Sequence, residues 1–220
     1  MKGAKEGPRP VAVRQLPKWS ELRPMLGAKT KPLNRDVRAA AAAESVADLR
    51  RTAARRVPKP VFDYVDGGAE SEVTLARARA AFTAVEFVPR VLRDVETVST
   101  RVDILGVPAR MPVVLAPTGF TRLVHHLGEV AVVAAAQRSE VPYVLSTMGT
   151  CSIEEIERAA PDANRWFQLY IWRDRRASAS LMARAHDAGC PVLVVTVDVP
   201  TGGARLRDLR NGFTLSLIHI

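Results

Sequence analysis

The sequence predicts an α/β fold, the N-terminal half of a (β/α)8 barrel preceded by a helical segment. Three observations predict it. Apolar runs of strand length recur at Val113–Ala116, Tyr143–Ser146, Trp166–Tyr170 and Leu193–Val197. Segments of helical character lie between them, at Gly128–Arg138, Ser152–Ala160 and Arg175–Ala188. Strand and helix alternate at roughly 25–30 residues, the pattern of βαβ units around a parallel sheet. Each run also ends, at its C-terminal edge, in residues unusual for a core: Pro117-Thr118-Gly119, Ser146-Thr147, Gln168 with Tyr170, and Thr196-Val197-Asp198. A barrel gathers the C-terminal ends of its strands at one mouth, where barrel enzymes keep their sites. An open dinucleotide sheet would need a Gly-x-Gly-x-x-Gly turn after its first strand. Neither that turn nor a P-loop is present. The barrel is the better reading.

Upstream, residues 1–43 are rich in Pro, Lys, Arg and Ala and read as an irregular basic arm. Ser45 and Asp48 imitate a capping box, which predicts a helix from Ser45 through Arg56, broken by Pro58. Pro60 suits the first turn of a short helix over Val61–Val65, which Gly67-Gly68 would end. A further helix is expected over Glu72–Phe82, and short strand-like pieces at Val85–Val88 and Val102–Leu105.

The composition, 47% hydrophobic and 25% charged, is that of a globular chain. No apolar run approaches the roughly 20 residues of a membrane-spanning helix, and the basic start is followed by no signal-peptide core. Cys151 and Cys190 make neither a disulfide framework nor a zinc spacing, so a reducing cytoplasmic setting is expected. The net charge of +9 is unevenly placed: residues 1–60 hold 15 Lys and Arg against 5 Asp and Glu, and residues 61–220 hold 17 against 18. Such an arm can meet anionic lipid or nucleic acid. It carries no nucleic-acid recognition module, so no nucleic-acid partner is expected. The plain alternative is a solvated arm lying on its own protein or on a subunit.

Six stretches carry a resemblance. They are Phe62-Asp63-Tyr64 with Gly68-Ala69-Glu70, Ala116-Pro117-Thr118-Gly119-Phe120, Leu145-Ser146-Thr147, Trp166-Phe167-Gln168-Leu169-Tyr170, Thr196-Val197-Asp198-Val199-Pro200, and Gly203-Ala204-Arg205-Leu206-Arg207-Asp208. In this order and spacing, from about Ser45 to Thr214, the chain resembles the FMN-dependent 2-hydroxy-acid oxidases and dehydrogenases. The Gly119-Phe120-Thr121-Arg122 stretch and the Gly203–Asp208 run look most similar to the bacterial L-lactate dehydrogenase branch.

The resemblance implies FMN as cofactor and oxidation of an L-2-hydroxy acid, L-lactate to pyruvate, with electrons passed to a quinone or cytochrome. Pro117, Thr118 and Gly119 match the segment along the flavin ring, where a glycine allows close approach of backbone. Ser146, Gln168 and Thr196 match positions that hydrogen-bond the flavin's polar edge without adding charge. Tyr64 and Tyr170 match two active-site tyrosines, Arg205 a substrate-side arginine suited to a carboxylate, and Asp198 the carboxylate that orients a catalytic histidine. Taken singly, each tyrosine is more often a packing residue, Arg205 a surface arginine, and Ser146 or Thr196 a strand end bonding its own backbone. Gln168 fits that plain reading least, because a buried amide needs partners.

The family histidine belongs to a Ser-Asn-His-Gly-Gly-Arg-type segment that this sequence does not contain, and His125, His126, His186 and His219 do not match it. The chain is therefore expected to stop before its catalytic base and to be inactive alone. Residues 44–214 would form the N-terminal portion of the barrel. The ending Leu215-Ser216-Leu217-Ile218-His219-Ile220 is expected to be foreign to the family. An intact parent is expected to be a homo-oligomer, with peripheral contact to the inner face of the plasma membrane through the arm. Two rivals remain: an oxidase that hands electrons to oxygen, and a basic, non-catalytic adaptor.

Overall fold

The computed structural model describes residues 35–198 and 202–213. The first 34 residues of the predicted arm, Val199-Pro200 and the 215–220 ending lie outside the described residues. The chain divides into two compact units, Met1–Thr52 and Ala53–Ile220. In the first, Arg35–Ala41 forms a helix, α1, where an irregular arm was expected. The Ala39–Ala43 run explains it, since alanine has the highest helix propensity of all residues. The next helix, α2 (Val46–Arg56), starts where predicted. The Asp48 N–H donates to Ser45 Oγ at 3.3 Å, and the Glu44 N–H donates to the Asp48 carboxylate at 3.1 Å, a reciprocal cap.

The second unit, which takes in the end of α2, continues with α3 (Lys59–Asp66) and α4 (Val73–Thr83). Pro60 sits in the first turn of α3, and Gly67 ends it in an extended conformation rather than a left-handed one. A hairpin follows: β1 (Val102–Ile104) pairs antiparallel with β2 (Val107–Ala109). Its two turn residues, Leu105 and Gly106, have φ of 52° and 80°, the positive values that twist a tight hairpin correctly. The expected strand at Val85–Val88 does not form, and Val85, Phe87 and Val88 are exposed. Alternating apolar residues make a strand only when a neighbouring strand accepts their backbone bonds.

The centre of the unit is a parallel sheet of β3 (Tyr143–Ser146), β4 (Arg165–Leu169) and β5 (Leu193–Val195), in that order. Three of the four predicted apolar runs thus become strands in register. The fourth, Val113–Ala116, contributes only a one-residue parallel bridge, Leu115 to Tyr143. Leu115 N–H donates to Pro142 O at 2.9 Å and Leu115 O accepts from Val144 N–H at 3.0 Å. Helices α5 (Thr121–Val124), α6 (Gly128–Ser139), α7 (Ile153–Ala159) and α8 (Arg175–Asp187) alternate with these segments, and α9 (Leu206–Asn211) follows.

Strand alternation then decides what faces what. Tyr143, Leu145, Phe167 and Leu169 pack with Val133 and Ala136 of α6, Ile153 and Ile156 of α7, and Ala185 of α8. Each fully buried large side chain here stabilises by about 1.5–3 kcal/mol. Ser146 and Gln168, one residue out of phase, turn to the opposite face. Arg165 opens β4 almost wholly buried, its guanidinium donating to Ala160 O at 2.5 Å, Pro161 O at 2.8 Å and Ala188 O at 3.0 Å. These carbonyls close the C-terminal ends of α7 and α8, where a cation suits the helix dipole.

Helix α7 starts on a full capping box, Ser152 Oγ accepting from the Glu155 N–H at 3.1 Å and Glu155 accepting from the Ser152 N–H at 2.7 Å. It is tied to α8 by a bidentate pair, Arg184 to Glu154, both bonds 2.8 Å. The Arg184 guanidinium lowers the Glu154 pKa to about 2. A depressed carboxylate pKa contributes stability above its ordinary value and loses it as pH falls through the folded value. Arg184→Gln is therefore expected to cost under about 1 kcal/mol at pH 7, because the pair is half exposed and screened. The difference from wild type should vanish between about pH 4.5 and 2 in urea melts. A constant difference down to pH 2 would rule the pair out as its source.

Candidate active site

The C-terminal ends of the parallel segments form a continuous polar edge. Gln168, 2% exposed, is its hub. Its Oε1 accepts from Ser146 Oγ at 3.2 Å and from the Thr147 N–H at 3.1 Å, and its Nε2 donates to Thr196 Oγ1 at 2.9 Å. Thr147 Oγ1 donates to Gln168 O at 2.5 Å and accepts from the Tyr170 N–H at 3.1 Å. Three of the predicted residues, Ser146, Gln168 and Thr196, are thus brought into one hydrogen-bonded row. The Gln168 Nε2 carries a second N–H, and its bond to Thr196 Oγ1 uses one. Thr147 is a member the sequence reading left without a role.

The Pro117–Gly119 turn lies beside this row. Pro117 and Thr118 are exposed, and the Phe120 N–H donates to Met148 O at 3.0 Å. A Cβ on Gly119 would stand 2.9 Å from Met148 Cβ. The neighbouring loop by itself leaves no room for a side chain at Gly119.

A second group gathers around Tyr64 on α3. Its ring meets Phe120 edge-on at 6.5 Å and Phe213 at 5.9 Å. Arg205 lies over that ring, 5.2 Å from its centroid, and its guanidinium also donates to Tyr64 O. Asp208 holds Arg205 from the other side, accepting from its Nε at 2.6 Å. Burial raises the Tyr64 pKa; Arg205 opposes the rise, while Asp208 and the nearby Tyr170 add to it. The phenol therefore stays a neutral donor at pH 7. Tyr64 and Arg205, distant in sequence, share one corner.

What brings them together is an ionic latch between α3 and α9. Arg207 reaches Asp66 at 3.1 Å and Glu72 at 2.5 Å, and Asn211 donates to Asp63 at 2.8 Å. The Lys59 ammonium and the Asn211 amide lower the Asp63 pKa, and the Arg207 guanidinium lowers that of Glu72. The Gly68-Ala69-Glu70 and Gly203-Ala204-Arg205 stretches also abut: the Glu70 N–H donates to Ala204 O at 2.7 Å. Asp208 and Arg207 were quoted in the sequence as a motif without a task. The Arg-x-x-Asp spacing of Arg205 and Asp208 was the available signal.

Asp198 is not brought into either group. It is exposed and has no hydrogen bond among the described residues. No group of three or more His, Cys, Asp or Glu placed to hold a metal occurs among the described residues. No helix among them is long and apolar enough to cross a membrane.

The chain is similar to several named proteins. A 4-hydroxymandelate oxidase of Amycolatopsis orientalis is 47% identical over 171 residues, which cover 78% of this chain and 47% of that protein. An L-lactate dehydrogenase of Caulobacter sp. (strain K31) is 46% identical over 170 residues, covering 77% and 44%. The crystal structure of a mandelate oxidase matches with a TM-score of 0.75 at 44% identity, covering 80% of this chain and 51% of that one. The chain spans about half the length of the relatives it matches. Residues 53–218 match the family model of the FMN-dependent dehydrogenases, so the chain carrying this polar edge belongs to that FMN-dependent family.

Proposed function

We propose that this chain is the N-terminal part of a (β/α)8-barrel enzyme that oxidises an L-2-hydroxy acid, L-lactate to pyruvate, and passes the electrons to a quinone or cytochrome. One observation carries it: the buried Gln168 amide bonds Ser146 and Thr196 in one row, with Tyr170 tied to that row through Thr147, and Arg205 lies over the Tyr64 ring. The row fits one polar edge of FMN, because its groups are neutral, fixed by mutual bonds, and include a buried amide with an N–H to spare. When bound, FMN accepts the hydrogen and electrons that leave the substrate carbon.

In this reading Gln168, Ser146 and Thr196 hold the ring's polar edge, with Pro117, Thr118 and Gly119 along its side. Arg205, oriented by Asp208, takes the substrate carboxylate, a pairing suited to a planar guanidinium. Tyr64 and Tyr170 donate to the substrate's oxygens without adding charge. Asp198 orients the histidine base, which the parent protein supplies from outside these 220 residues. The excess positive charge before residue 61 supports contact with an anionic membrane face.

The mandelate-oxidising relatives favour a second reading, an oxygen-using oxidase of an aromatic 2-hydroxy acid. Anaerobic mixing of the FMN-loaded full-length protein with L-lactate, D-lactate and mandelate separates the two. Bleaching of the flavin by L-lactate, followed by faster reoxidation with a quinone than with oxygen, is expected. Bleaching by mandelate alone, with rapid reoxidation by oxygen, would establish the second reading. A protein that takes up no flavin would overturn both.

A further inference from the structure

All three polar groups of one loop residue, Thr150, are engaged by two residues of the preceding segment. The Thr150 N–H donates to Glu129 Oε1 at 2.7 Å, and its hydroxyl donates to Glu129 Oε2 at 2.5 Å. The same hydroxyl accepts from the Arg122 N–H at 3.3 Å, and the Thr150 carbonyl accepts from Arg122 Nη1 at 3.1 Å. Glu129 is 0% exposed, in the first turn of α6, where the helix dipole favours an anion. Burial alone would raise its pKa, but the Thr150 hydroxyl and N–H outweigh burial, with help from the Cys151 thiol, and the carboxylate stays ionised. Gly128 makes room for this arrangement: a Cβ there would meet Arg122 Cγ at 2.6 Å.

Thr150 stands just beyond the residues that face the site. Two positions earlier, Met148 packs on Gly119, accepts from the Phe120 N–H, and donates its own N–H to Ser146 Oγ at 3.1 Å. Arg122 and Glu129 belong to the segment that follows Gly119, and Thr150 to the loop that follows Ser146. Burying a carboxylate at the start of α6 is costly unless donors are fixed on it, and the Thr150 loop supplies them.

We propose that Glu129, Thr150 and Arg122 form a positioning clamp that sets the spacing between the Gly119 turn and the Ser146–Met148 loop, and so shapes the edge that receives the flavin. The clamp touches neither cofactor nor substrate; it acts through Gly119 and Ser146. It rests on the functional reading above.

The test uses the full-length FMN-loaded protein with Thr150→Val, Thr150→Ser and Glu129→Gln. Thr150→Val keeps the shape and removes the hydroxyl. It is expected to raise the FMN dissociation constant about tenfold and to change the visible circular dichroism of the flavin, at a temperature where far-ultraviolet spectra show a folded chain. Thr150→Ser restores the hydroxyl and should stay within about twofold of wild type. Glu129→Gln, which cannot accept both Thr150 donors through charged oxygens, should weaken FMN in the same direction and serves if the valine variant does not fold. Wild-type affinity and spectrum in both Thr150→Val and Glu129→Gln would overturn the clamp alone. So would a serine variant as impaired as the valine one, since packing and not the hydroxyl would then matter. Absence of flavin from wild type would overturn the functional reading, and the clamp with it.

Discussion

Tyr170→Phe is expected to lower turnover of the full-length protein ten- to a thousandfold, about 1.4–4 kcal/mol of transition-state stabilisation, while FMN stays bound. The substitution keeps the ring and removes one hydroxyl donor. Tyr170 is placed by its backbone, whose N–H donates to Thr147 Oγ1, so the loss of the hydroxyl leaves the row around Gln168 intact. Tyr64 has a different setting, packed edge-on with Phe120 and Phe213 and covered by Arg205. The measurement is flavin reduction by L-lactate in stopped flow, with FMN content checked by absorbance. Turnover equal to wild type, with reduction rate-limiting, would remove Tyr170 from the reaction.

Arg165→Met is expected to destabilise the chain by about 2–4 kcal/mol, the second large effect. Methionine keeps the aliphatic length but leaves the buried Ala188 carbonyl without its donor, and removes one donor each from Ala160 O, which keeps the Ala163 N–H, and from Pro161 O. Wild type also carries a cost, because the Arg165 Nε is buried without a partner. The two terms oppose each other. Three charge-assisted bonds against one orphaned N–H decide for the arginine. Urea denaturation of both proteins measures the difference. A methionine variant as stable as wild type would mean that desolvating the guanidinium costs as much as its bonds return, as it does for some buried ion pairs.

Much of the fold was legible because its signals are local. The Ser152–Glu155 box marks the start of α7 within the predicted bounds, and Asp174 caps α8, accepting from Arg176 N–H at 2.9 Å. The apolar runs at 143–146 and 193–195 are strands at their predicted starts. Val113–Ala116 and Val85–Val88 are also rich in apolar residues and fail as strands. A ladder depends on what lies alongside it, and Leu115 pairs on one side with β3 only, at a single residue. Alternation within one stretch cannot report that.

The candidate site divides in the same way. Sequence by itself determined the residue types and their order: neutral hydrogen-bonding groups at strand ends, two tyrosines, one arginine, in the spacing of an FMN-dependent family. Only the tertiary structure decided which of them meet. Gln168 joins Ser146 and Thr196 because parallel register sets residues 22 and 28 positions away beside it. Arg205 reaches Tyr64, 141 positions away, because Asp63, Asp66 and Glu72 draw in Arg207 and Asn211. The charges of Glu129, Arg165 and Asp208 carry no mark of burial in the sequence, yet each is buried. Burial of a charge is settled by the donors and acceptors that folding delivers to it, and those come from elsewhere in the chain.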